Sequence, residues 1–158
     1  MKVFLCIFGD FYVAIPMNSV LSLALHDENS LQNVSAMTHN EGIFYRENGN
    51  IFVALPKLFN LPPENIRHNI VLKDPDAKGD ETSENKTVLF IPEVECETDI
   101  PDDKIFPIPK ALSSTRFSLM FSGIQFNSRQ AVSDAGSGLV LMMDSEKLIQ
   151  TAQKETPL

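Results

Sequence analysis

Four carboxylates at alternate positions, Glu93, Glu95, Glu97 and Asp99, form the densest set of chemically capable side chains in the sequence. Read as a strand, the spacing places all four on one face, recurring about every 7 Å, with Val94, Cys96, Thr98 and Ile100 on the other. Such a row has the chemistry to bind a cation, to act as an acid/base pair in a metal-dependent enzyme, or to meet a basic partner. Catalytic carboxylate pairs converge across a cleft from separate segments, which one strand does not provide. A solvated or partner-facing strand face is therefore expected, with water or a cross-strand cation tempering the mutual repulsion.

Arg46 is the second candidate, placed just before the turn signal Asn48-Gly49. Its guanidinium is equally suited to bracing the turn through carbonyls and to presenting a planar donor fork to a partner's carboxylate. Phe44 and Tyr45 beside it belong to a class enriched at interface hot spots. On a strand their rings point to opposite faces, so one is expected to face the core and the other outward.

The remaining reactive residue types read as structural. Cys6 and Cys96 each sit in an apolar run without CxxC or Cys/His spacing, as buried free thiols do. His26 and His39 have no acidic or cysteine partner at ligand spacing and read as solvated loop histidines. Asp74, Asp76, Asp80 and Glu81 offer oxygen ligands, but the EF-hand order is missing and Lys78 intrudes, so a solvated loop over 74–86 is expected. No phosphate-loop, dinucleotide, zinc-protease or nucleophile-elbow signature occurs, so neither an enzyme nor a metal or cofactor site is expected. A net charge of −8 opposes nucleic-acid binding, which favours a basic footprint. The apolar run after Lys2 stops at Asp10 without a small-residue cleavage site, and no run approaches the roughly 20 residues that span a bilayer. A cytoplasmic protein without membrane insertion is expected.

These candidates must be positioned by short strands. Val88 to Ile91 is continuously apolar and meets Pro92, which donates nothing to a ladder; alternation then resumes to Ile100 before Pro101, Pro107 and Pro109. A strand bent in this way can serve two sheets. Gly9-Asp10 joins an opening hairpin, and Glu47-Asn48-Gly49-Asn50 joins the clearest one, within Gly42 to Leu55. Val20, Leu21, Leu23 and Leu25 supply a further apolar segment, as do Asn69 to Lys73, Phe117 to Phe126 and Leu139 to Met143. Loops are read over 26–40, 110–116 and 127–138. Asp144 caps a terminal helix SEKLIQTAQK, and Glu155 to Leu158 should fray. With 158 residues, 43% of them hydrophobic, the chain suffices for one domain or for two small barrels sharing a core, and the strand spacing predicts an all-β class.

Taken in order, FGDFYVAIPMNSV, GIFYRENGNIFVALPKLF, LFIPEVECETDIPDDKIFPIP, FSGIQF and GLVLMMDSEKLI resemble successive segments of the CheW-like family, the adaptors of bacterial chemotaxis. The resemblance implies two intertwined five-stranded SH3-like β-barrels with short helices, including one at the C-terminus. It implies a single CheW-like domain over 1–150, containing two barrel subdomains, and a tail over 151–158. It further implies no catalysis and no cofactor, and partners in the regulatory domain of a CheA-type histidine kinase and the cytoplasmic tip of a chemoreceptor. Arg46 falls near the family's hairpin arginine, in the receptor-contacting region. With Phe44, Tyr45, Glu93, Glu95, Glu97 and Asp99 it makes the expected partner-binding set.

Overall fold

The computed structural model describes residues 1–25, 42–62, 66–74, 86–108, 110, 120–126 and 139–157. The loops read over 26–40 and 127–138, nearly all of those over 74–86 and 110–116, and the residues His26, His39, Asp76, Lys78, Asp80 and Glu81 lie outside them.

Two five-stranded sheets carry the fold. The first contains β1 (Lys2–Phe8), β2 (Phe11–Pro16), β8 (Glu93–Asp99), β9 (Phe121–Phe126) and β10 (Leu139–Met143), in the order β8-β1-β2-β10-β9. The second contains β3 (Val20–Leu25), β4 (Phe44–Glu47), β5 (Asn50–Val53), β6 (His68–Leu72) and β7 (Thr87–Ile91), in the order β3-β6-β7-β5-β4. The second sheet is thus a run of consecutive strands inserted between β2 and β8 of the first. The chain leaves at Pro16 through a 3-10 turn, Met17–Ser19, and returns at Pro92.

Local chemistry explains the turns. Gly9 at the β1–β2 tip has φ +62°, and a Cβ there would stand 3.1 Å from Leu61 Cδ2. Asn48 (φ 52°) and Gly49 (φ 84°) both take the positive φ that a two-residue hairpin turn requires. Helix α1 (Leu55–Leu58) has Pro56 in its first turn, where the missing N–H leaves no bond unmade. Helix α2 (Ser145–Glu155) starts where Asp144 Oδ1 accepts from the Lys147 backbone N–H at 3.1 Å.

One core draws on both sheets. Phe4, Phe8 and Ile15 of the first meet Val53, Ile70 and Leu89 of the second, together with Leu148, Ile149 and Ala152 of α2. The opposite faces are also covered: Val3, Leu5, Tyr12, Val140 and Ile100 cluster behind the first sheet, and Tyr45, Phe52, Val88 and Phe90 behind the second. All five residues of β7 are buried, which is why Val88 to Ile91 reads as an unbroken apolar run.

The all-β class, the two five-stranded units and the terminal helix agree with expectation, but among the described residues the ladders do not close into barrels. Among the described residues β8, β9, β3 and β4 each pair with one neighbouring strand only. Beyond β8 the chain meets the other edge of the first sheet at an isolated bridge, in which Phe106 and Ile124 of β9 exchange two backbone bonds of 2.8 Å. The fraying expected over Glu155 to Leu158 is corrected at its start: Glu155 closes α2, Thr156 is buried, and its hydroxyl donates to the Ala152 carbonyl at 2.7 Å, while Leu158 lies outside the described residues. The boundary drawn at residue 150 falls within α2.

Candidate functional site

Pro92 sits where the chain passes from one sheet to the other, with β7 ending at Ile91 and β8 starting at Glu93. Beyond it β8 pairs antiparallel with β1, and the register shifts between Leu5 and Cys6. Leu5 lies opposite Cys96 and Cys6 opposite Val94, which leaves Glu95 as the extra residue of a β-bulge.

This bulge breaks the row of acids expected on one face. Residues opposite one another in an antiparallel pair share a face. Glu93 therefore goes with Ile7, on the side of Leu5 and Val3, whereas Glu97 goes with Phe4 and Asp99 with Lys2, on the other side. Val94 packs against the shared core and Cys96 against the cluster behind the first sheet, so the apolar alternation is inverted by the same step. The carboxylates do not converge, and among the described residues no three His, Cys, Asp or Glu side chains gather as a metal-binding group.

Their environments differ accordingly. Glu93 and Glu97 are exposed. Glu95 is half-buried, its Oε2 enclosed without a hydrogen-bond partner, and burial, reinforced by Glu93, raises its pKa above the ordinary carboxylate value. Asp99 is exposed and accepts from the α-amino group of Met1 at 2.9 Å, which holds the carboxyl below its usual range and raises the amine. The same ammonium donates to the Ile100 carbonyl at 2.9 Å. Cys6 and Cys96 are both free thiols. They lie on opposite faces of the first sheet because of the bulge, and burial pushes Cys6 up to about 12.

Arg46 braces carbonyls, but not those of its own turn. Its Nε donates to the Thr156 carbonyl at 3.0 Å, at the C-cap of α2, 110 residues away in sequence. A cation at a helix C-terminus meets both an unsatisfied carbonyl and the negative end of the helix dipole. Spacing in the sequence carried no signal of that partner. The aromatic pair is corrected as well: Phe44 and Tyr45 do point to opposite faces, but each is only 8% exposed. Phe44 enters the shared core. Tyr45 stacks on Phe52 (centroids 5.1 Å apart, planes at 19°), which stacks on Phe90 (5.7 Å, 14°). The second sheet is covered on both faces, so neither ring faces outward; burial, then Glu47, drives the Tyr45 phenol upward. The structure thus leaves Glu93, Glu97 and Asp99 as the exposed members of the expected set. Among the described residues no helix is long and apolar enough to cross a membrane.

Neither a protein-family model nor a curated protein matches the sequence. Among solved structures, the scaffolding protein TtCheW from Thermoanaerobacter tengcongensis superposes with a TM-score of 0.52, over 90% of this chain and 83% of that one, at 14% identity. The fold is CheW-like. At 14% identity the likeness concerns the fold alone. The acid-bearing edge of β8 and the tie between Arg46 and Thr156 are read from this chain's own residues.

Proposed function

We propose that this chain is a non-enzymatic cytoplasmic adaptor that couples a CheA-type histidine kinase to chemoreceptors through protein–protein contacts, with no cofactor. The observation that carries the reading is the CheW-like architecture over 90% of the chain, shared with a protein described as a scaffold. The geometry is compatible with that work: β8 offers an exposed, carboxylate-bearing edge beside the crossing at Pro92, and Glu93, Glu97 and Asp99 are the residues proposed to meet a partner. Binding there requires the partner to supply basic groups. Arg46 stays in the proposed region, acting through the hairpin and helix that it joins.

The test is co-sedimentation with a kinase regulatory domain and a receptor tip, separately and together. The adaptor reading expects the chain to pellet with each and to bring the two into one complex. A second reading keeps the fold and changes the pathway: a scaffold for another two-component or motility system. It is favoured by the occupation of Arg46, tied to Thr156, and by the carboxylates of β8. Absence of binding to any CheA-type regulatory domain would select it.

A further inference from the structure

Asn48 is the one asparagine in the sequence that a glycine follows. The pair has a reaction of its own: the backbone nitrogen of Gly49 can attack the Asn48 side-chain carbon, and glycine has no side chain to obstruct the approach. Asn48 is exposed, so water reaches it. The turn nevertheless opposes the attack. With φ 52° Asn48 lies in the left-handed region, where ψ is about +47°. A ψ of that sign turns the Gly49 nitrogen nearly trans to the Asn48 Cβ about the Cα–C bond, whereas ring closure needs the two on the same side. The conformation that makes the hairpin therefore holds the reacting atoms apart. Both strands are clamped at this tip. On β4, Arg46 Nε donates to the Thr156 carbonyl at 3.0 Å. On β5, Asn50 Oδ1 accepts from the Lys86 backbone N–H at 3.0 Å, and the Ile51 N–H donates to the Lys86 carbonyl at 2.8 Å.

We propose that Asn48-Gly49 is a spontaneous modification site, gated by opening of the β4–β5 tip. On opening, the Gly49 nitrogen bonds to Asn48 Cγ, the bond from Cγ to Nδ2 breaks, and ammonia leaves with the Gly49 amide proton. Water then opens the cyclic imide. Addition at Cγ gives aspartate on an unchanged backbone, and addition at the main-chain carbonyl gives isoaspartate, whose backbone is one methylene longer. Either product sets a carboxylate beside Glu47, in a chain that already carries −8. Isoaspartate also does not fit a two-residue turn, for which Glu47 must stand opposite Asn50. The strand bearing Arg46 then loses its register, and with it the tie to α2. The conversion runs one way, so it accumulates with every opening of the tip. It is independent of the kinase and receptor reading.

Incubation at mildly alkaline pH, followed by peptide mapping with mass spectrometry and chromatographic separation of isoaspartate, tests it. In urea the unfolded chain is expected to convert at Asn48, and far more slowly at Asn50, where the β-branched Ile51 follows. The folded protein is expected to convert at Asn48 roughly a hundredfold more slowly than the unfolded chain, because only molecules with an open tip react. Arg46→Ala and Asn50→Ala each remove one clamp. Each is expected to raise the folded-state rate at Asn48, Arg46→Ala by roughly tenfold, with an unchanged circular dichroism spectrum. A chain that does not convert at Asn48 in urea overturns the site. A folded protein that converts as fast as the unfolded one overturns the gate. So do two clamp variants that fold and keep the wild-type rate.

Discussion

Arg46 joins a hairpin strand to the last carbonyl of a helix, and its truncation leaves Thr156 at the helix C-cap without that donor. A charge-assisted bond of this kind in a half-buried site contributes about 1–2 kcal/mol. Arg46→Ala is expected to lower the stability measured by urea denaturation by that amount, and Arg46→Lys to recover only part of it, because a point ammonium does not reproduce the planar Nε donor. Unchanged stability in both variants would show that the bond is not held in solution. Glu95 gives a prediction in pH. Its carboxyl holds a proton more tightly folded than unfolded, so between the ordinary value of 4.5 and its raised value the native state binds more protons, and stability falls as pH rises through that window. Glu95→Gln removes the enclosed charge. Its melting temperature is expected to exceed that of the parent at neutral pH, with the difference disappearing once the pH falls below the ordinary carboxylate value.

At the scale of elements, the segment after β8 crosses β9 where only glycine fits. A Cβ on Gly123 would lie 2.7 Å from the Phe106 carbonyl oxygen and 2.8 Å from Ile105 Cγ2, and one of these neighbours is backbone. Gly123→Ala is therefore expected to cost about 1–3 kcal/mol, as overpacking does. Faster amide hydrogen exchange at Phe106 and Ile124 would report loss of their bridge, and unaltered protection there would count against it. The elements of the fold were legible in the sequence to different degrees. Pro92 and Asn48-Gly49 are constraints local to the backbone, and both stand where they were read. The bulge at Glu95 depends on which residues of β1 stand opposite, which an alternating pattern does not encode. The burial of Tyr45 likewise depends on Phe52 and Phe90 from two other strands, and the tie from Arg46 to Thr156 on a helix formed at the far end of the chain. Contacts set by one segment could be read; contacts set by the meeting of several could not.

At the scale of the molecule, the two sheets depend on one another. Phe4, Phe8 and Ile15 from one and Val53, Ile70 and Leu89 from the other occupy a single cluster, and α2 enters it with Leu148, which is fully buried. Neither sheet keeps a complete core when the other leaves, so the pair should unfold together although the chain order makes the second sheet an uninterrupted insertion. Leu148→Ala opens a cavity where α2 meets both and is expected to remove about 2–5 kcal/mol. The informative measurement is native-state hydrogen exchange at β2 and β7, one strand from each sheet. A shared core requires the most protected amides of both strands to open at the same free energy and to lose the same amount in the variant. If β7 keeps its protection while β2 loses it, the second sheet is stable alone, the molecule is two subdomains rather than one cooperative unit, and partners acting on one sheet would leave the other unaffected.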